Sequence, residues 1–134
     1  MASAPNKDLA SILHPVQHII PGNYQATVTG NNGSGVDLAG YESASVLINV
    51  GARTTGTFVF TLEESDDDST YAAMAAADVN GSLPTVSSAG TASQVYQVGL
   101  KRAKRYVRAV ATGASTPNID FGVTVVRGNK RHEP

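Results

Sequence analysis

The feature that most constrains this chain is a two-residue alternation of apolar and polar side chains that recurs along it. In residues 57–63, Phe58, Phe60 and Leu62 fall on one side, and Thr57, Val59, Thr61 and Glu63 on the other. That is the period of a strand with one buried face. The same alternation marks residues 44–50 (Val46, Ile48, Val50), 94–100 (Tyr96, Val98, Leu100) and 119–126 (Ile119, Phe121, Val123, Val125). Residues 105–112 are apolar on both faces through Tyr106, Val107, Ala109 and Val110, as in a central strand. Residues 24–29 read as a short first strand, and 70–74 as another in spite of the alanines that follow. Turn-forming clusters at 30–35, 53–56, 65–69 and 82–93 separate these runs. About six to eight strands with hairpin-length connections predict an all-β fold, an antiparallel β-sandwich or jelly roll.

A length of 134 residues leaves room for one such domain, placed at 24–127. Residues 1–23 carry Pro5, Pro15 and Pro21 and show no clean period. They read as an extended N-terminal arm whose Leu9, Ile12, Leu13, Val16, Ile19 and Ile20 are too apolar for a solvated tail. Those six residues are therefore candidate partner contacts, and removal of residues 1–20 is expected to leave the sandwich folded. Residues 128–134 read as a short basic C-terminal tail.

The net charge of −1 hides a segregation. Glu63, Glu64, Asp66, Asp67, Asp68 and Asp78 lie within 61–80, where there is no Lys or Arg. Lys101, Arg102, Lys104, Arg105, Arg108, Arg127, Lys130 and Arg131 lie within 101–131 against Asp120 alone. Either the two segments are neighbouring strands that neutralise each other, or they orient the molecule against a charged partner, a second copy included. The eight basic residues are the second set of candidate contacts. Nucleic acid is disfavoured as the partner, because the sequence pI is near 6.3. Moreover, Lys104, Tyr106 and Arg108 share one strand face while Arg105 and Val107 take the other, which breaks any basic stripe.

No catalytic constellation emerges. Nucleophilic catalysis needs a rigidly held His beside a Ser, Thr or Cys, and His14, His18 and His132 all fall in the expected tails. Cysteine is absent, which excludes thiolate metal sites, disulfides and thiol catalysis and favours a reducing compartment. His14 and His18 have helical zinc spacing, but Pro15 opposes the helix. The adjacent Asp66, Asp67 and Asp68 do not reproduce the alternating ligands of a calcium loop. No cofactor or metal is expected. The first twenty residues lack the pattern of a signal peptide, and no apolar run reaches membrane-span length, so the expectation is a soluble protein without a membrane partner.

Three stretches together resemble the small head proteins of tailed bacteriophages and prophages, of the capsid cement or decoration type. They are Val36-Asp37-Leu38-Ala39-Gly40-Tyr41-Glu42-Ser43-Ala44, Phe60-Thr61-Leu62-Glu63-Glu64-Ser65-Asp66-Asp67-Asp68-Ser69-Thr70-Tyr71, and Lys104-Arg105-Tyr106-Val107-Arg108 with its following strand and tail. The resemblance covers residues 36–134 and implies a sandwich that binds the assembled shell and clamps neighbouring major capsid subunits. It also implies a small homo-oligomer, a dimer or trimer, located on the virion surface after assembly in the host cytoplasm. A head–tail junction or tail component is the nearest alternative. Residues 65–71 also look like loops of carbohydrate-binding jelly rolls, which would make Tyr71 or Tyr96 a sugar contact. Asp68 stands there in place of the expected Gly.

Overall fold

The computed structural model describes residues 8–130. Over these residues the strands are β1 (Leu13–Tyr24), β2 (Val28–Thr29), β3 (Val36–Asp37), β4 (Tyr41–Ser65), β5 (Ala72–Ala73), β6 (Val79–Asn80), β7 (Thr85–Val86), β8 (Gln94–Leu100) and β9 (Tyr106–Lys130). The all-β reading holds. What the alternation did not convey is that β4 and β9 are each 25 residues long. They pair antiparallel from Tyr41↔Lys130 to Ser65↔Tyr106.

The expected turn at 53–56 is instead a bend within this ribbon. The register slips between Val50 and Thr57. There Gly56 takes φ +75°, and Ser115 and Thr116 take +58° and +54°. A Cβ on Gly56 would lie 2.4 Å from Pro117 Cα, so both the conformation and the close approach require glycine. Pairing nevertheless continues through Arg53↔Ile119 and Thr55↔Asn118, so the chain bends without ending its strands.

Folding the ribbon over stacks its halves face to face. One half carries the order β1-β9-β4-β8-β6. In the other, β2 and β3 pair with the first part of β9, while β5 and β7 pair with the second part of β4. Alternate residues turn inward from both. Val46, Ile48, Val50, Val98, Ile119, Phe121, Val123 and Val125 meet Phe58, Phe60, Leu62, Val107, Ala109 and Ala111, all buried. Phe121 joins the layers, with ring centroids 4.9 Å from Phe58 and 5.0 Å from Phe60, both edge-on.

The arm reading of 1–23 needs correction over residues 13–23. β1 pairs with β9 from Leu13↔Gly128 to Tyr24↔Ile119, so this segment is an edge strand of its own domain. Register shifts between Gln17 and Ile19, and between Ile19 and Gly22, hide it. They let the consecutive residues His18 and Ile19 both point inward, each 2% exposed, which destroys the two-residue period. The expected tail is corrected likewise, because residues 128–130 continue β9. Residues 131–134 lie outside the described ones. No helix among the described residues is long and apolar enough to cross a membrane.

Candidate functional site

Three of the basic candidates, Lys104, Arg105 and Arg108, meet carboxylates in ion pairs. β4 and β9 run side by side, which puts Glu63 opposite Arg108. Arg108 Nε donates to Glu63 Oε1 at 2.8 Å, its Nη1 donates to the Gly33 carbonyl at 2.6 Å, and its guanidinium lies 3.9 Å over the Tyr71 ring. Arg105 grips Asp37 with two bonds of 3.0 and 2.9 Å. Lys104 Nζ lies 3.6 Å from Asp66, and its amide donates to Glu64 Oε1. Arg127 donates to the carbonyls of His14 and Asp37 and stacks 4.5 Å over Tyr41. Neutralisation by the acidic segment thus accounts for Lys104 and Arg108, whereas Arg105 is taken by Asp37 on β3.

The acidic hairpin is occupied in the same internal way. Asp67 accepts from the Thr70 amide, the Ser65 hydroxyl and the Ser69 amide, which hold its carboxyl below the usual range. Asp68 is lowered by the Tyr71 hydroxyl and the Gly35 amide. Burial and that same carboxylate push Tyr71 up to about 12. Among the described residues no group of three His, Cys, Asp or Glu is placed to hold a metal. Of the two tyrosines, Tyr71 has Arg108 over one ring face, and Tyr96 is half-buried with its hydroxyl on the Thr91 carbonyl.

Lys101, Arg102 and Lys130 differ. They are exposed and make no ion pair among the described residues. Lys101 and Arg102 stand on the β8–β9 turn, which faces the β3–β4 turn across a groove of about 450 Å³. The groove is built from residues 38–44 and 100–105, a pair of segments that sequence patterning did not bring together. Its signal was the β4–β8 pairing, which sets Ala44 beside Leu100. Arg131 lies outside the described residues.

The six apolar candidates divide. Ile19 belongs to the core, Val16 packs against it, and Leu13 is half-buried beside β9. Leu9, Ile12 and Ile20 remain 62%, 49% and 67% exposed along or beside the β1 edge. The start of β1 adjoins the groove: the His14 ring lies 5.4 Å from that of Tyr41, a groove residue.

Sequence reasoning missed the role of His18. The chain lifts away from β9 at Gly30–Gly33, between the β2 and β3 pairings. His18 reaches across from the other layer, and its Nε2 accepts from the Ala109 amide at 2.8 Å. That bond places the ring proton on Nδ1. Burial, then the nearby Arg108 charge, lower its pKa to about 4. The imidazole is a structural acceptor, neutral near pH 7. No sequence periodicity signals it, since its partner lies 91 positions away.

No protein-family model and no curated protein sequence matches the chain. Among solved structures, the PBSX exported protein XepA aligns at a TM-score of 0.59 and 15% identity, covering 98% of this chain. The chain spans 42% of XepA's length, so the likeness is one of fold, to a part of that protein. The CBM22-1-GH10 modules of xylanase 10B from Clostridium thermocellum align at a TM-score of 0.34 and 15% identity, over 89% of this chain and 29% of theirs. A score that low establishes no common architecture.

Proposed function

We propose that this chain is a non-enzymatic structural protein of a phage particle, a cement or decoration protein that docks on the assembled shell and clamps neighbouring major capsid subunits. The observation that carries the reading is the β1 edge, where Leu9, Ile12 and Ile20 stay largely exposed although the core beside them is well filled. Large apolar side chains along an open sheet edge favour aggregation unless a partner covers them. A symmetric shell supplies that cover repeatedly, and a dimer or trimer of this chain would engage several sites at once. The shared fold with an exported protein of PBSX, a prophage, supports the same class of origin. The two described histidines are occupied structurally, one as a buried acceptor and one against Tyr41.

The test is co-sedimentation of the full chain with purified shells. The triple variant Leu9→Asp/Ile12→Asp/Ile20→Asp changes only exposed positions and should keep its thermal midpoint. Its shell affinity should fall at least about tenfold, the scale of lost apolar contacts in a small interface. Equal binding by the variant and the parent chain, or none by either, contradicts the proposal.

A further inference from the structure

The groove between residues 38–44 and 100–105 has the attributes of a pre-formed site, and its chemistry is not that of the apolar edge. Both walls are fixed by bonds that leave two cations unused. On one side, the amides of Lys101 and Arg102 donate to the Asp78 carbonyl at 2.8 and 3.4 Å. On the other, the Leu38 amide donates to the Arg105 carbonyl at 2.7 Å, and the Tyr41 amide to the Leu38 carbonyl at 3.1 Å. Arg105 is held by Asp37 and Lys104 by Asp66, which anchors the far end of the turn. The backbone of the turn would need little further ordering when a ligand entered, which leaves mainly the two exposed side chains to be ordered.

The lining discriminates between kinds of anion. Leu38, Ala39, Leu100 and Ala103 give it apolar surface between the cations. The acidic hairpin meets one end of it, where Asp66 pairs with Lys104. A continuous polyanion such as nucleic acid would find no unbroken basic track, because Lys104 and Arg105 are already paired with carboxylates. A short polypeptide in which carboxylates alternate with apolar residues would match Lys101, Arg102 and the apolar lining.

We infer that this groove binds an extended acidic segment of a partner protein, with Lys101 and Arg102 taking its carboxylates. The inference rests on the shell-binding reading only for which protein supplies the segment. Its own test needs no shell. Isotope-labelled full chain is titrated with the synthetic peptide Glu-Leu-Asp-Leu-Glu, its Gln/Asn counterpart and a twelve-nucleotide single strand, and amide shifts are followed by NMR. The acidic peptide should move amides of residues 38–44 and 100–105, with an affinity that falls as salt screens the charges. The neutral peptide should not move them, and the oligonucleotide should bind more weakly. Lys101→Glu/Arg102→Glu should reduce peptide affinity at least tenfold while amides outside the groove keep their positions. Shifts elsewhere, no shifts, equal response to the neutral peptide, or tighter binding of the oligonucleotide would each overturn the inference. Shell co-sedimentation of the same variant is read separately. Retained shell binding with lost peptide binding confirms the groove as an acidic-peptide site and assigns the shell contact to the β1 edge.

Discussion

His18 shows how much one residue can hold in a sandwich that lacks both disulfides and tryptophan. It satisfies an amide stranded between two short strands, and its ring fills the space that Gly30 leaves open. A Cβ on Gly30 would fall 2.0 Å from His18 Nε2, so Gly30→Ala should displace the ring and cost roughly 1–3 kcal/mol, read as a lower urea midpoint. His18→Ala leaves the Ala109 amide unsatisfied beside a cavity, at an expected roughly 2–4 kcal/mol. The pH dependence has a definite sign. The unfolded imidazole, near its ordinary value of 6.5, binds a proton that the folded one resists down to about 4. The stability this residue contributes is therefore complete above about pH 6.5 and is lost as pH falls through 4, on the order of 3 kcal/mol in all. Urea melts at pH 7 and pH 4.5 should differ by roughly 2–3 kcal/mol in the parent chain and by much less in His18→Gln. Equal differences in both would remove His18 as the cause. Arg108, partly shielded between Glu63 and Tyr71, should cost roughly 1–3 kcal/mol when changed to Ala.

At the scale of elements, β8 was legible because seven consecutive residues, Gln94–Leu100, alternate without a bulge. The inward rows of β4 and β9 were legible for the same reason, but their continuity was not. Gly51, Gly56 and the threonines between them carry ordinary turn chemistry, and only the pairing across the bend shows that the strands persist. β3, β5, β6 and β7 are two residues each, and they exist because a long strand passes beside them rather than through any propensity of their own. The basic cluster stood out in the sequence, whereas its pairing with Asp37, Glu63 and Asp66 depends on register. The β1 bulges make a specific prediction. Removal of residues 1–12 should leave stability within about 0.5 kcal/mol, since Leu9 and Ile12 are exposed. Removal of residues 1–20, by contrast, takes His18 and Ile19 out of the core and bares the β9 edge. That chain should lose its cooperative melt, a correction to the expectation drawn from the arm reading.

At the scale of the whole molecule, a bent two-strand ribbon provides a rigid frame whose interior is spent on packing. Exposed apolar side chains cluster at one edge, with Val59 and Val95 exposed singly elsewhere. The β1 edge presents apolar side chains, and the neighbouring groove presents cations, both held by backbone that is already ordered. On the proposed reading, that edge and that groove are the attachment surfaces. The most direct measurement is a cryo-EM reconstruction of purified shells decorated with the full chain. The account predicts ordered density with the β1 edge and the adjoining groove against the shell, and with the short β6 edge outward. Absence of bound density, or docking through the β6 edge with β1 in solvent, would contradict it.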